Sequence, residues 1–476
     1  MKNKFDTNVQ KLKYEVLKAV ADLYYEDRLE EDLLSIAEKI VPGPKATMRC
    51  CIYKERAIVN ERVKVAMGTG HKFDSVIEVL QIACDECPVT QITVGDACRG
   101  CIAHRCANVC PRGAISFPEH RAVIDHDKCI LCGKCVEACP YSAITKNQRP
   151  CERACKVGAI LMDDNKKARI DESKCISCGA CVYQCPFGAI TDRSFIVDCI
   201  RYLKRAKSDE QLKVYAVVAP SISGQFMDAK VGQVVSGLKE LGFYSVVEAA
   251  LGADMVAYKE SLELAEKGFL TSSCCPAFVE YVKKAFPDMA DHISGNLSPM
   301  AEIARYIKGN EPDCRIVFIG PCTAKKKEIL DGSDAGKYID CVITFEELQA
   351  LFDSREVDLN AMEDDVLDNA SYFGRIFARS GGISEAVKEA MKEHNIDMDV
   401  RCEVCDGITE CKMALLKASK GKLEADFIEG MACDQGCIGG AACLTHGQKN
   451  KAEVDKYGRE AMEKSISDAV NLIDFK

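Results

Sequence analysis

The spacing of its cysteines constrains this chain more than any other feature of the sequence. Two runs have the form Cys-x2-Cys-x2-Cys-x3-Cys-Pro, with the cysteines Cys129, Cys132, Cys135 and Cys139, and then Cys175, Cys178, Cys181 and Cys185. Two-residue gaps let one loop wrap three corners of a 4Fe-4S cubane, while the fourth Cys reaches a neighbouring cluster. Thirty of the 476 residues are Cys. In a reducing compartment such density indicates metal ligation rather than disulfides.

Two further cysteine groups extend the pattern. One is the same run with two extra residues inserted, at Cys98, Cys101, Cys106 and Cys110, and the other is half a run, at Cys151 and Cys155. The swapped-ligand rule then predicts three clusters, with the ligand sets Cys98, Cys101, Cys106 and Cys139; Cys129, Cys132, Cys135 and Cys110; and Cys175, Cys178, Cys181 and Cys155. Cys151 and Cys185 are left over, and only with Cys84 and Cys87 would they complete a fourth cluster. The sequence leaves that fourth cluster open.

A short apolar stretch follows each cysteine group, at residues 113–117, 142–144, 158–161 and 188–190. This recurrence is an internal repeat whose units are each too small for a core of their own. The segment 84–195 resembles tandem bacterial ferredoxin-type 4Fe-4S domains. The resemblance implies an α+β fold and electron transfer along a row of clusters.

The rest of the chain has a different texture. Residues 1–83 are predicted as a mainly helical N-terminal segment, with a stop at Pro42-Gly43-Pro44. In residues 205–445, strand-like runs alternate with helical stretches, which predicts an α/β domain with parallel-sheet lobes. Residues 446–476 are predicted as a C-terminal helical tail.

The net charge and the apolar runs exclude some classes of function. A formal charge of −10 argues against a sequence-general nucleic-acid binder, which needs a basic footprint. No apolar run approaches the roughly 18 residues that span a bilayer, and the N-terminus shows no apolar signal region. We therefore expect no nucleic-acid partner, no membrane span and a cytoplasmic location.

Three more cysteine motifs lie on the α/β part. They are Thr271-Ser-Ser-Cys274-Cys275-Pro276, Gly320-Pro321-Cys322-Thr-Ala-Lys325, and Glu429-Gly-Met431-Ala-Cys433-Asp-Gln-Gly-Cys437. Together they offer four thiolates for a cubane, one from each of the first two motifs and two from the third. The i, i+4 spacing predicts Cys433 and Cys437 on one helix face.

In these motifs the sequence resembles the [FeFe] (iron-only) hydrogenases, over about residues 210–445. The resemblance implies that the cubane of the H-cluster is held by Cys275, Cys322, Cys433 and Cys437. Cys437 would bridge to a diiron subcluster that carries carbon monoxide, cyanide and an azadithiolate. Lys325 would donate to one cyanide, and Ala219, Pro220 and Ser221 would meet the other. Met431 and Phe377 would wall the pocket, with plain core packing as the alternative for both.

The resemblance also implies a proton route. Cys274 is not needed as a cubane ligand and matches the thiol that passes protons to the bridgehead amine. Glu260, Ser294 and Glu263 match the groups behind it, and Lys267 stands where an Arg is expected at the surface end. For the two Glu residues the alternative is a solvated helix face.

Some positions depart from the best-known members of the family. Gly320 stands in place of Met, Met300 in place of Gln, and Phe278 in place of Trp. The sequence also shows no plant-type 2Fe-2S motif and no His-containing cubane motif. This architecture looks like the group B branch of the family.

The implied function is a ferredoxin-dependent hydrogenase that interconverts protons and H2, with electrons relayed to or from ferredoxin. Maturation proteins would supply the diiron unit. Two alternatives remain open: a hydrogen sensor with low turnover, and a hydrogenase-like Fe-S assembly or electron-transfer protein without the diiron unit. Retention of Cys274, Lys325, Met431 and the Glu pair disfavours the last, because a cubane scaffold needs none of them.

Overall fold

The N-terminal segment is helical and packs on residues 205–445, the domain that the resemblance implies is catalytic. The computed structural model describes residues 5–49, 51–69, 75–226, 228–330, 332, 334–471 and 473. The first helices are α1 (Asn8–Tyr25), α2 (Leu29–Asp32), α3 (Ser35–Ile40) and α4 (Ile52–Ala66). The apolar face of α1, including Val16, Leu17 and Val20, is buried in the same hydrophobic cluster as the catalytic sheet. The segment therefore has no separate core.

Two ferredoxin-like units follow, and one is nested inside the other. Their elements are β1 (Ile77–Val79), β2 (Gln91–Val94), α5 (Arg105–Asn108), β3 (Ile115–Ser116), β4 (Val123–Ile124), α6 (Lys134–Ala138), β5 (Ile144–Asn147), α7 (Pro150–Ala154), β6 (Ile160–Met162), β7 (Ala168–Ile170), α8 (Ala180–Gln184) and β8 (Ile190–Asp192). The pairs β2–β5 and β3–β4 form the distal unit, residues 91–147. The pairs β1–β8 and β6–β7 form the proximal unit, residues 77–89 and 150–192. β1 therefore belongs to the proximal unit, where it pairs with β8, although it lies in residues 1–83, the segment predicted as N-terminal.

The catalytic domain is α/β, as predicted. After the linking helix α9 (Ile196–Ser208) come β9 (Val214–Val218), α10 (Val231–Glu240), β10 (Ser245–Glu248), α11 (Ala249–Lys267), β11 (Leu270–Thr271), α12 (Pro276–Ala285), α13 (Pro299–Asn310), β12 (Arg315–Gly320), α14 (Thr323–Glu328), α15 (Ala335–Tyr338), β13 (Cys341–Thr344), α16 (Phe345–Ser354), α17 (Tyr372–Ile376), α18 (Gly382–Glu393), β14 (Cys402–Asp406), α19 (Ile408–Ala418) and β15 (Phe427–Met431). One sheet has the order β10-β9-β12-β13 and the other β11-β15-β14. All their pairings are parallel, which confirms the predicted parallel-sheet lobes.

The strands of the larger sheet are buried because helices cover the sheet. β9 and β12 read as near-continuous apolar runs, and every residue of β12 after Arg315 is buried. Such runs are typical of parallel strands that are covered on both faces. This packing leaves the carboxyl ends of the strands as the place where polar side chains can gather.

The C-terminal residues also pack on the catalytic domain. They form α20 (Lys449–Arg459) and α21 (Ile466–Asn471). The Tyr457 hydroxyl donates to the buried Glu248 carboxylate at 2.7 Å, and the Arg375 guanidinium binds the same carboxylate. Among the described residues, no helix is both long enough and apolar enough to cross a bilayer.

Candidate functional site

The catalytic-domain motifs all lie at the carboxyl ends of parallel strands. Ala219 follows β9 and Cys322 follows β12 in the larger sheet, while Cys275 follows β11 and Cys433 follows β15 in the smaller one. Cys322 and Cys275 are the N-cap residues of α14 and α12. In open α/β sheets, ligands bind in the crevice outside these strand ends. The two sheets therefore bring together motifs that are far apart in sequence.

Four thiols meet in this crevice. Burial, together with the neighbouring thiolate charges, raises the pKa of Cys322 to about 11 and that of Cys437 to about 12. The pKa of Cys433 is raised well above its ordinary value for the same reasons, and Cys275 is among the charged neighbours of all three. Several buried thiolates need a cationic partner, so this donor set fits the iron of a cubane.

The arrangement differs from that of a single-ion site. Within the described parts of the chain, no group of three His, Cys, Asp or Glu side chains converges on one metal ion. The thiolates around a cubane each bind a different iron atom, so they need not converge on one point. The four thiols are therefore matched to a cluster rather than to one ion.

The prediction that Cys433 and Cys437 share a helix face is wrong. Cys433 lies in a turn after β15, and Cys437 begins a short 3-10 helix, Cys437–Gly439. Gln435 and Gly436 between them have φ values of 69° and 79°, which a continuous α-helix does not allow. A side chain at Gly436 would also meet the Ser380 amide nitrogen at 2.8 Å. Close backbone approach, rather than helical periodicity, thus positions the two cysteines.

Polar groups border the crevice on the side of the larger sheet. The Lys325 ammonium is almost buried and donates to Glu328 Oε2 at 2.8 Å. Burial lowers the pKa of this lysine, but the Glu328 carboxylate more than offsets the effect, so the pKa lies above its ordinary value. Ser221 Oγ is fully buried and has no hydrogen-bond partner among the described residues. An unpartnered buried hydroxyl and a held cation fit a ligand with anionic acceptor groups, as the diiron unit has.

Met431 and Phe377 are both buried, at 2% and 5% exposure. Both belong to the main hydrophobic cluster, so core packing accounts for their burial, and their place on the pocket wall stays a prediction. Glu429 accepts hydrogen bonds from the amides of Gly381 (2.7 Å) and Ser384 (2.8 Å). This carboxylate ties the loop after Phe377 to the third cysteine motif, a role that the sequence did not reveal.

The predicted proton-route residues line up from the surface inward. Lys267 is exposed and donates to Glu263 Oε1 at 2.6 Å, and Ser294 Oγ donates to Glu263 Oε2 at 3.1 Å. Burial raises the pKa of the fully buried Glu260 to about 7, and the neighbouring Ser294 hydroxyl partly offsets this rise. Glu260 in turn is close enough to Cys274 for its charge to raise the pKa of that thiol. The structure therefore brings the five predicted residues together.

Sequence reasoning missed three polar residues of this site. The Ser273 amide donates to Glu260 Oε1 at 3.3 Å. The Ser273 hydroxyl donates to the Asn296 carbonyl oxygen at 2.9 Å and lies 3.4 Å from Glu260 Oε1. Asn296 Nδ2 donates to Glu263 Oε2 at 2.8 Å, and Glu328 holds Lys325. The available signal was adjacency, because each lies within three residues of a predicted one.

Several accessory cysteines lie near members of their predicted ligand sets, and the sets themselves stay predictions. Burial raises the pKa of Cys106, Cys135 and Cys181, and neighbouring thiolates add to the effect. These neighbours are Cys139 and Cys101 for Cys106; Cys129, Cys132 and Cys110 for Cys135; and Cys178, Cys175, Cys155 and Cys151 for Cys181. Burial also raises the pKa of Cys151 and that of Cys87, and in both cases the charges of Cys185 and Cys84 add to the effect. The nested order of the two units explains this fourth set, because Cys84 and Cys87 belong to a unit that the distal unit interrupts.

The proximal unit meets the catalytic domain beside the crevice. Thr323 Oγ1 donates to the Ser177 carbonyl oxygen at 2.7 Å. Gly179 has a φ of 76°, and a side chain there would meet Ala441 Cβ at 2.6 Å, so the contact requires glycine. A cavity of about 250 Å³ is lined by Cys155 and Cys178 on one side and by Cys433 on the other. Cysteines of the accessory and catalytic sets thus line the same cavity.

Comparisons with known proteins agree with this geometry. Residues 212–441 match the family described as "Iron only hydrogenase large subunit, C-terminal domain", and residues 122–145 and 168–191 match the 4Fe-4S binding domain. Iron hydrogenase 1 of Clostridium pasteurianum is 27% identical over 72% of this chain and 69% of its own length. The periplasmic [Fe] hydrogenase large subunit of Nitratidesulfovibrio vulgaris is 28% identical over 67% of this chain and 86% of its own length.

A solved structure of the [FeFe]-hydrogenase HydA1 from Chlamydomonas reinhardtii aligns with a TM-score of 0.48 and 20% identity, covering 58% of this chain and 92% of that one. By their family match, residues 212–441 are an iron-only hydrogenase large-subunit domain, and 4Fe-4S binding domains precede it in the chain.

Proposed function

We propose that the protein is a ferredoxin-dependent hydrogenase that interconverts protons and H2. The observation that supports this most directly is the line of polar groups that runs from exposed Lys267 to the half-buried Cys274 thiol, beside the four thiols of the crevice. A protein that only carried electrons would need the thiols but no such line. The proposed compartment is the cytoplasm, where thiols stay reduced.

The proposed cofactors are the H-cluster and four accessory 4Fe-4S clusters. Cys275, Cys322, Cys433 and Cys437 would hold the H-cluster cubane, and the fourth accessory cluster would take Cys84, Cys87, Cys151 and Cys185. When bound, these groups supply the redox chemistry, in which the accessory clusters carry electrons and the diiron unit makes or splits H2. Maturation proteins would deliver the diiron unit, and ferredoxin would be the electron partner.

The chain's own residues move the proton. Lys267 holds the Glu263 carboxylate at the surface, and Ser294 lies between Glu263 and Glu260. Glu260 Oε2 accepts no hydrogen bond among the described residues, so when protonated it is free to donate its proton. With a pKa of about 7, Glu260 can both hold and release a proton near neutral pH, as efficient general acid–base groups do. The proton then passes from Glu260 to Cys274, with Ser273 orienting the carboxylate.

Lys325 and Ser221 would bind and orient the anionic ligands of the diiron unit. The ammonium of Lys325 is fixed by Glu328, so it presents a set positive charge to an anionic ligand. The Ser221 hydroxyl, unpartnered among the described residues, is available to donate to another acceptor. Donors of this kind around a metal site orient its ligands and tune it.

A hydrogen sensor with low turnover is the second candidate. Met300 and Phe278 are fully buried, and they stand where the best-known family members carry Gln and Trp. Fewer polar donors near the diiron unit would slow turnover without abolishing H2 binding. A turnover rate far below metabolic need would favour this candidate over the first.

An infrared spectrum of the protein, matured anaerobically with the diiron unit, tests the proposal. We expect bands of metal-bound carbon monoxide and cyanide that shift under H2. Cys322→Ser should lose these bands, while Cys314→Ser, a change to a buried cysteine outside the predicted ligand sets, should keep them. If the bands are absent from the parent while a control hydrogenase matures normally, the chain is an electron-transfer or assembly protein.

A further inference from the structure

One face of the N-terminal helix carries polar side chains that reach across the molecule. Asp6 lies just before α1, and Gln10 and Lys13 lie in its first two turns. Gln10 and Lys13 are three residues apart and therefore lie on one side of the helix, and the Asp6 amide donates to Gln10 Oε1 at 3.0 Å. Each contacts a segment more than 170 residues away, so these side chains do more than stabilise the helix locally.

Two of these contacts reach the chain just after the third cysteine motif. Asp6 Oδ2 lies 2.8 Å from His446 Nδ1 and accepts a hydrogen bond from the His446 amide at 3.0 Å. Gln10 Nε2 donates to the carbonyl oxygen of Cys443 at 2.7 Å. The other ring nitrogen of His446 lies 2.9 Å from the Gly440 carbonyl oxygen. The start of α1 is therefore fastened to the segment that leaves Cys437.

The third contact, made by Lys13, joins the proximal ferredoxin-like unit to the catalytic domain. Lys13 forms ion pairs with Asp192, at the end of the proximal ferredoxin-like unit, and with Glu346, at the start of α16 in the catalytic domain. Asp192 also pairs with Lys326 at 2.9 Å, and Lys326 pairs with Glu347 at 2.8 Å. All five side chains are buried or nearly so.

Buried ion pairs of this kind hold their segments at a set separation. If the proximal unit moved away from the catalytic domain, a lysine or a carboxylate would be left without a partner in the interior, which is costly. The two parts also touch directly, through the Asp192–Lys326 pair, the hydrogen bond from Thr323 to Ser177 and the packing of Gly179 on Ala441, so Lys13 adds a second cation to a junction that already exists. The helix therefore adds restraint to the junction where accessory and catalytic cysteines line the same cavity.

We propose that α1 is a clamp that sets the distance between the accessory thiols Cys155 and Cys178 and the catalytic thiols Cys433 and Cys437. Asp6, Gln10 and Lys13 are its positioning residues. The proposal rests on the proposed function in one respect, that electrons cross this junction. Electron tunnelling slows exponentially with distance, so a looser junction slows transfer even when each cluster is intact.

The test compares Lys13→Met with Lys11→Met. Lys11 lies on the same helix, is 61% exposed and pairs with Glu15 at 3.7 Å, so it is a matched control outside the clamp. The first readout is the spin–spin coupling between reduced cubanes, measured by pulsed electron paramagnetic resonance on protein that carries the cubanes without the diiron unit. The second is the ratio of ferredoxin-driven H2 production to the exchange of H2 with D2O, since the exchange needs no electron from the accessory clusters.

We expect Lys13→Met to weaken and broaden the coupling and to lower ferredoxin-driven turnover about tenfold, with the isotope exchange unchanged. Lys11→Met should match the parent in both. An unchanged coupling in folded Lys13→Met overturns the proposal. An equal loss of exchange and driven turnover also overturns it, because that pattern marks general damage.

A milder variant keeps the test decisive if Lys13→Met fails to fold. Gln10→Ala removes the hydrogen bond to the Cys443 carbonyl oxygen and the one that Gln10 Oε1 accepts from the Asp6 amide. It should shift the coupling in the same direction by a smaller amount. No shift in folded Gln10→Ala would overturn the proposal. If the parent shows no isotope exchange, the proposed function fails, while the cubane coupling still decides whether the clamp exists.

Discussion

The distal ferredoxin-like unit and the catalytic domain build their interiors in opposite ways. The buried cluster of the distal unit consists of Ile92, Cys106, Ile124, Cys135 and Ile144, so two of its five members are predicted cluster ligands. The core of the catalytic domain contains the strands β9 and β12 and the face of α16, and its cubane cysteines lie outside the strands. In the first region, predicted ligands are part of the buried core; in the second, the ligands stand at the edge of an independent core.

The difference follows from size. A unit of about 60 residues buries too little apolar surface to be stable with ease, and metal binding then supplies much of its folding free energy. The catalytic domain is large enough to bury two parallel sheets, so its strand ends are free to carry chemistry. We therefore expect iron to be structural in one region and functional in the other.

Removal of iron should give the largest effect. If the distal unit stayed folded without iron, the contrast between structural and functional iron would be wrong. Anaerobic chelation should abolish amide-exchange protection throughout residues 91–147, because the unit loses part of its core with its ligands. β9 and β12 should keep their protection. Hydrogen–deuterium exchange read by mass spectrometry makes the measurement, and reconstitution with iron and sulfide is the control. Retained protection in the distal unit would mean that its few buried isoleucines are enough to keep it folded without iron.

Cys274→Ser should give the next largest effect, and it sharpens the comparison by separating chemistry from metal content in the catalytic domain. Loss of the thiol breaks the proposed proton route at the step nearest the four thiols, so turnover should fall by about 100- to 10,000-fold. Iron content should stay at the parent value, because Cys274 is not a predicted ligand. Iron analysis and H2 production measure the two quantities, with Cys314→Ser as the control. Unchanged turnover would place the proton route elsewhere.

The pH dependence of turnover tests Glu260. Burial raises its pKa to about 7, and H2 production draws on the protonated acid, so the rate should fall about tenfold per pH unit above that value. H2 oxidation draws on the carboxylate and should instead rise through the same range. Glu260→Gln should remove both titrations. A parent profile that is flat between pH 6 and 8 would contradict the assignment.

The same residue links stability to pH. Its pKa is raised in the folded state from an ordinary 4.5, so between about 4.5 and 7 the folded protein holds a proton that the unfolded chain releases. This contribution to the free energy of unfolding is present at low pH and is lost as pH rises through that window. Glu260→Gln should flatten the dependence in chemical denaturation.

Lys267→Met should give the smallest effect. The ammonium is exposed and pairs with Glu263 at 2.6 Å, and exposed ion pairs contribute little, so turnover should fall by a factor of about two to five. The loss should shrink as salt is added, since salt screens such a pair in the parent. Steady-state H2 production at two ionic strengths is the measurement. A loss as large as that of Cys274→Ser would mean that Lys267 is the sole entry for protons.

Much of the fold could be predicted from local patterns. The four short strands after the cysteine groups, at 115–116, 144–147, 160–162 and 190–192, all lie in or beside the predicted stretches. The parallel sheets followed from alternating strands and helices, and Glu260 and Glu263 lie on one helix as predicted. Each of these depends on neighbours a few residues apart, which is the range over which periodicity carries information.

The parts that could not be predicted depend on distant backbone. Cys433 and Cys437 were expected on a helix, but the positive φ values at Gln435 and Gly436 come from packing against the loop at Ser380. Ser273 contacts Glu260, and Asn296 contacts Glu263, because their loops pack against α11 in the folded chain. No local pattern records such contacts.

The order and spacing of the cysteines were enough to predict the kind of chemistry: the cysteine runs predict cubanes, and the three later motifs predict an iron-only hydrogenase domain. This was possible because ligand spacing is set by a few bonds of covalent chain. The nesting of one ferredoxin-like unit in the other, and the pairing of Lys13 with both Asp192 and Glu346, are visible only in the folded chain. Those arrangements depend on which segments exclude water together, and burial of that kind is a property of the whole fold.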